Sequence, residues 1–129
     1  MKVIGINGSA RKDGNTSLLI KAVFAELEAE GIETDLVQLH GKALEPCKAC
    51  FGCGGKRQCV VKTDYFNECF AKMVEADGIV LGSPVYSADV TAGMKAFLER
   101  AGVVHALRRQ HEPCGGFALH ERNEEARGQ

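Results

Sequence analysis

Residues 2–17 read KVIGINGSARKDGNTS, and their order decides the fold. The run KVIGIN (2–7) is short and apolar, as suits a buried β-strand. GSARKDGNTS is glycine-rich and polar, as suits a loop. From Thr16 the spacing turns helical, with Leu18, Leu19, Ala22, Val23 and Leu27 at i, i+3 and i+4 intervals up to Gly31. Strand, polar loop and helix in that order form the first half of a crossover unit, which implies a parallel sheet.

The rest of the chain repeats the alternation. IETDLVQL (32–39) returns to strand, with Ile32, Thr34 and Leu36 in alternate positions. DYFNECFAKMVEADG (64–78) predicts a second helix with Phe66, Phe70, Met73 and Val74 on its apolar face, Cys69 in the core and Gly78 at its end. GIVLGSP (78–84) predicts a third strand, apolar on both faces and so covered on both. TAGMKAFLERAG (91–102) predicts a third helix, with Thr91 as N-cap and Gly102 as stop. The expected fold is α/β, a doubly wound parallel sheet, in one domain spanning 1–129.

Such a sheet normally has about five strands, and only three are legible before residue 103. The segment 103–129 holds three of the four histidines and one short apolar run, FALH. CGGFALHERNEEARGQ (114–129) is the expected remnant of a fourth strand, and the tail is expected to be atypical or truncated.

Composition narrows the function. Hydrophobic residues are 45%, charged residues 26% and net charge is −1, which gives no polyanion-binding face and no nucleic-acid partner. No apolar run reaches the roughly 20 residues that cross a bilayer, so no membrane association is expected. Glycines interrupt the amino terminus too early for a signal-peptide core. The expected location is cytoplasmic, where thiols stay reduced.

Ligands of open parallel sheets bind beyond the carboxyl ends of the strands. Two loops lie there. NGSARKDGNTS (7–17) offers hydroxyls, an amide and successive backbone N–H groups at a helix start, good chemistry for a phosphate. It is neither a Walker A loop nor a G-x-G-x-x-G fingerprint. GSPVYSADVT (82–91) sets Val85 and Tyr86 beside the same crevice, where they could flank a flat heteroaromatic ring. No side chain stands out as a catalytic acid, base or nucleophile, and His40 reads as a solvated turn residue.

A third loop, EPCKACFGCGGKRQC (45–59), carries four of the six cysteines at spacing C-x2-C-x2-C-x5-C. Four thiolates suit either zinc or a [4Fe–4S] cube. Zinc sites usually pair two C-x2–4-C knuckles across a longer spacer; successive x2 intervals instead favour a cube held by Cys47, Cys50, Cys53 and Cys59. Gly52, Gly54 and Gly55 allow tight wrapping, and Lys48, Lys56 and Arg57 would offset the cluster's negative charge.

GSxRxxGNT after the first strand together with GSPVY after the third resembles the flavodoxin-like NAD(P)H-dependent FMN reductase superfamily over residues 1 to about 102. The cysteine loop after the second strand resembles its iron–sulfur flavoprotein branch. That resemblance implies FMN, with Ser9, Arg11, Asn15, Thr16 and Ser17 at its phosphate and Pro84, Val85, Tyr86 and Ser87 along its ring. Ala10 stands where the family usually has proline, which softens the turn and removes no ligand. The resemblance further implies a [4Fe–4S] cluster in the 45–60 loop, electron transfer from a ferredoxin-like or NAD(P)H donor, and a homo-oligomer. The alternatives are an NAD(P)H-dependent FMN or quinone reductase without a cluster, or a zinc-stapled or truncated non-catalytic domain.

Overall fold

The computed structural model describes residues 1–109. Within them β1 (Lys2–Asn7), α1 (Asn15–Ala29), β2 (Glu33–Gln38), α2 (Phe66–Glu75), β3 (Gly78–Gly82) and α3 (Ala92–Arg109) follow in order. The three strands are parallel in the order β2-β1-β3, so β1 is central and the chain crosses over it between β2 and β3. This is the doubly wound arrangement that the sequence predicts. The expected fourth strand lies outside the described residues.

The strand register assigns the two faces. Ile4 and Ile6 pair with Ile79 and Leu81 of β3, and all four point to the side covered by α2 and α3. There Ile4, Ile6 and Val37 meet Phe66, Cys69, Phe70, Met94, Phe97 and Val104. The Phe66 ring lies 5.4 Å from that of Phe70 and 5.6 Å from that of Phe97. On the other face Val3, Ile20 and Phe24 form a smaller core under α1.

Four details depart from the sequence expectations. First, α1 does not bury Leu18, Leu19, Ala22 and Val23; Leu18 and Leu19 are 59% and 70% exposed. It buries Ser17, Ile20 and Phe24, because the strand surface beneath it is lined by glycine. A Cβ on Gly5 would lie 2.6 Å from Phe24 Cζ, and one on Gly82 2.6 Å from Ile20 Cδ1. The stripe with the deepest side chains wins that shelf. Second, Val74 of α2 is exposed at 42%, whereas Phe66, Phe70 and Cys69 are buried as expected. Third, β3 is not covered on both faces: Ile79 and Leu81 stay 47% and 48% exposed, as β3 is the outer strand among the described residues. Fourth, α3 does not stop at Gly102 but runs to Arg109. Buried Ala101 and Val104 flank that glycine, and their packing outweighs the ~1 kcal/mol that a helical glycine costs.

No helix among the described residues is long and apolar enough to cross a membrane.

Candidate functional site

The first site sits at the carboxyl end of β1. Asn7 closes the strand fully buried; its side-chain amide donates to Gln38 Oε1 at 2.7 Å and its oxygen accepts the Ser9 N–H at 3.0 Å. Gln38 also donates to the Ser9 carbonyl at 2.7 Å, and the Ser9 hydroxyl accepts the Arg11 N–H at 3.1 Å. The loop is therefore shaped by the ends of β1 and β2, and α1 follows it. The α1 N-cap is Gly14, without a side-chain cap, and the first turn holds no acidic residue. The leading N–H groups of the helix consequently have no acceptor within it. The buried Ser17 hydroxyl likewise has no partner.

The loop after β3 leans over this helix start. The Gly8 N–H donates to the Gly82 carbonyl at 2.8 Å, and the Ala10 N–H to the Tyr86 phenol oxygen at 3.2 Å. The Ser9 hydroxyl and Ala10 N–H beside that phenol hold the Tyr86 pKa below its ordinary value. Thr91 fixes the far end: its hydroxyl donates to the Gly8 carbonyl at 2.7 Å and accepts the Met94 N–H at 3.4 Å, capping α3 as expected. A pocket of roughly 390 Å³ results, lined by Ser9, Arg11, Asn15 and Thr16 from one loop and Pro84 and Tyr86 from the other. Ser17, buried in the first turn of α1, does not line this pocket, and Val85 and Ser87 are exposed outside it. An uncapped helix start, a buried orphan hydroxyl and an arginine fit a phosphate group.

The second site is the cysteine loop. Cys47, Cys50, Cys53 and Cys59 all line one pocket, walled also by Val60, Val103 and Val104. All are free thiols; Cys53 is buried and Cys50 exposed. Burial raises the Cys53 pKa, and the adjacent sulfurs of Cys59, Cys47 and Cys50 push it the same way. Among the described residues no three metal-ligating side chains already surround a common point; the sulfurs share a pocket without forming a finished cage. The loop's backbone is strained on either side of Cys50, with Ala49 and Phe51 at φ of 53° and 54°. Such left-handed non-glycine residues gather at ligand clamps. Ala49 turns its N–H onto the Cys47 sulfur at 3.4 Å. Four soft donors, an N–H···S contact and apolar walls fit a thiolate-bound cluster.

Three residues that hold this loop escape sequence reasoning. Asn67 at the start of α2 accepts the Cys59 N–H at 2.8 Å and donates to the carbonyls of Cys59 and Val61 at 3.0 and 3.2 Å. Arg100 of α3 and Asp64 form a buried ion pair, each side chain 3% exposed. Arg100 also donates to the Glu45 carbonyl at 3.0 Å, and Asp64 accepts the Glu45 N–H at 2.9 Å. Burial would raise the Asp64 pKa, but the Arg100 side chain and the Glu45 N–H outweigh it and hold the carboxyl below its ordinary value. The one available sequence signal is position: Arg100 sits three residues after Phe97 and four before Val104, on the apolar stripe of α3. Lys56 and Arg57, the expected counter-charges, are exposed, and Lys48 pairs with Glu45 at 3.0 Å.

A cleft of roughly 680 Å³ opens beside the first site and shares Ala10 and Tyr86 with it. Tyr86, Ala10 and Ala92 line one side, and His40, Lys42 and Leu44, just ahead of the cysteine loop, the other. The volume suits a small-molecule ligand.

Comparison with known proteins agrees with this geometry. Residues 1–118 match the family described as NADPH-dependent FMN reductase, a match that extends past residue 102. The chain is 46% identical over 101 residues to an iron–sulfur flavoprotein of Methanocaldococcus jannaschii, covering 78% of this chain and 52% of that protein. It is 41% identical over 100 residues to one of Archaeoglobus fulgidus, covering 78% and 45%. It is 39% identical over 101 residues to one of Methanosarcina thermophila, covering 78% and 52%. The chain thus spans about half the length of these relatives. No solved structure matches it.

Proposed function

The chain belongs to the NADPH-dependent FMN reductase family, and from that premise we propose that it is an iron–sulfur flavoprotein, an FMN-dependent oxidoreductase of the cytoplasm. The observation that carries the reading is the gathering of all four loop cysteines on one pocket, in a domain whose neighbouring loops form a phosphate-type site. Relatives named iron–sulfur flavoprotein support it.

In this reading Ser9, Arg11, Asn15, Thr16 and Ser17 hold the FMN phosphate, and Pro84, Val85, Tyr86 and Ser87 flank its ring. Cys47, Cys50, Cys53 and Cys59 hold a [4Fe–4S] cluster. When bound, the two groups connect a one-electron donor, ferredoxin-like, to a two-electron acceptor, with NAD(P)H the other candidate donor. The protein's part is placement. Asn7 and Gln38 fix the phosphate loop, the α1 start supplies donors and a favourable dipole, and Asn67 pins the Cys59 end of the cluster loop. Residues 1–129 act as one domain, and the protein associates with a second copy of itself.

The experiment is FMN titration of the apoprotein, followed by flavin fluorescence, with wild type and Ser17→Ala. A buried hydroxyl that bonds only the phosphate contributes about 1.5–3 kcal/mol, so the substitution should weaken binding about 10- to 100-fold without destabilising the apoprotein. Equal affinity in both proteins would put the phosphate elsewhere.

A further inference from the structure

Among the described residues Arg100 is the one buried cation on the wall of the cysteine pocket. Its residue is 2% exposed. The guanidinium lies 4.2 Å over the Phe66 ring, and Nη1 is committed to Asp64 and to the Glu45 carbonyl. Nη2 is buried and has no hydrogen-bond partner among the described residues. A buried N–H of a charged group left without an acceptor destabilises the fold. Natural proteins keep such orphans where a ligand completes them.

The surroundings say which acceptor is meant. Arg100 shares its pocket with all four cysteines, with apolar side chains such as Val60, Val103 and Val104, and with Glu45 and Lys48, whose charges pair with each other at 3.0 Å. Burial alone would lower the Arg100 pKa; Asp64 and the Cys59 side chain outweigh it and raise it. Cys59 lines the same pocket as Arg100 and packs against the core that Phe97 and Val104 of α3 help to form, although no hydrogen bond of good geometry joins the two. Asn67 holds the backbone of Cys59, so that sulfur is already aimed.

Resting on the cluster reading above, we propose that Arg100, oriented by Asp64, donates from Nη2 to the Cys59 thiolate and sets the cluster's reduction potential. A thiolate-bound cluster gains one negative charge when it accepts an electron. A nearby guanidinium in a low-dielectric wall stabilises that reduced state and raises the potential. Asp64 holds the arginine and neutralises it in part, so Arg100 acts as a positioning and tuning residue, separate from the four ligands.

The test compares wild type with Arg100→Lys and with the charge-neutral double variant Arg100→Gln/Asp64→Asn, which leaves no unpaired buried charge if the single variant fails to fold. Each is loaded anaerobically, counted for iron and sulfide, and titrated with dithionite while cluster and flavin signals are followed in one sample. The expected result is a full iron count and an unmoved flavin potential. In the double variant the reduced-to-oxidised ratio of the cluster should fall at least tenfold at fixed ambient potential, ~59 mV for a one-electron couple, and in Arg100→Lys, which keeps the charge, by less. Unmoved cluster potentials in fully loaded variants would overturn the tuning role. So would folded variants that lose their iron, which would make Arg100 only a brace for the loop. Iron-free wild type would sink the cluster reading itself, and this inference with it.

Discussion

Arg100 and Asp64 show what one buried pair commits the chain to. Removing one partner strands the other, which costs about 3–5 kcal/mol. Arg100→Ala should therefore lower the unfolding free energy in urea by that amount, and the Arg100→Gln/Asp64→Asn variant by clearly less. Asp64 adds an acid limit, since its pKa is lower folded than unfolded. Its contribution is complete above the ordinary 3.8 and drains away as pH falls through the folded value. The thiols divide in the same way. Burial pushes Cys69 up to about 12 from an ordinary 9.0, so it holds its proton more firmly folded than unfolded. Its contribution is full below pH 9 and is lost as pH climbs towards 12. Iodoacetamide at pH 8 should label exposed Cys50 first and Cys69 last, read by peptide mass spectrometry; early labelling of Cys69 would contradict its core position.

At the scale of elements, glycine decides where α1 can sit. A Cβ on Gly82 would meet Ile20 Cδ1 at 2.6 Å and Thr16 Cγ2 at 2.9 Å, the first turn of α1. Gly82→Ala should destabilise the protein by about 1–3 kcal/mol through overpacking and weaken FMN binding, as the phosphate-side turn is pushed outward. Gly102 is the opposite case: its added Cβ meets nothing within 4 Å. Gly102→Ala should stabilise α3 by about 0.5–1 kcal/mol in thermal or urea unfolding. These two glycines mark what was legible beforehand. The strand-loop-helix order was plain from KVIGINGSARKDGNTS because each period is local. The buried stripe of α1 was not, because SLLIKAVF is apolar nearly all round and the choice rests with Gly5 and Gly82 in other elements.

For the molecule as a whole, the same division between local and distant signals holds. The two loops named by their motifs do meet, joined by Gly8 to Gly82 and Ala10 to Tyr86, and the four cysteines do share a pocket. Asn67 and the Arg100–Asp64 pair, which hold that pocket, act across the fold and carry no motif. Three parallel strands bring the 7–17 loop, the 82–91 loop and the cysteine loop to their carboxyl end, where a cleft runs from Ala10 and Tyr86 to Leu44, just ahead of the cysteines. The iron–sulfur flavoprotein reading proposed above makes one demand of that arrangement: FMN and cluster both bind to the same chain. The direct test is to load purified apoprotein anaerobically with FMN, iron and sulfide, and count each against protein. The account predicts one FMN, four irons and four sulfides per chain, with broad absorbance near 400 nm that bleaches on dithionite and iron that is lost in Cys53→Ser. Flavin bands without iron, or zinc in place of iron, would contradict it.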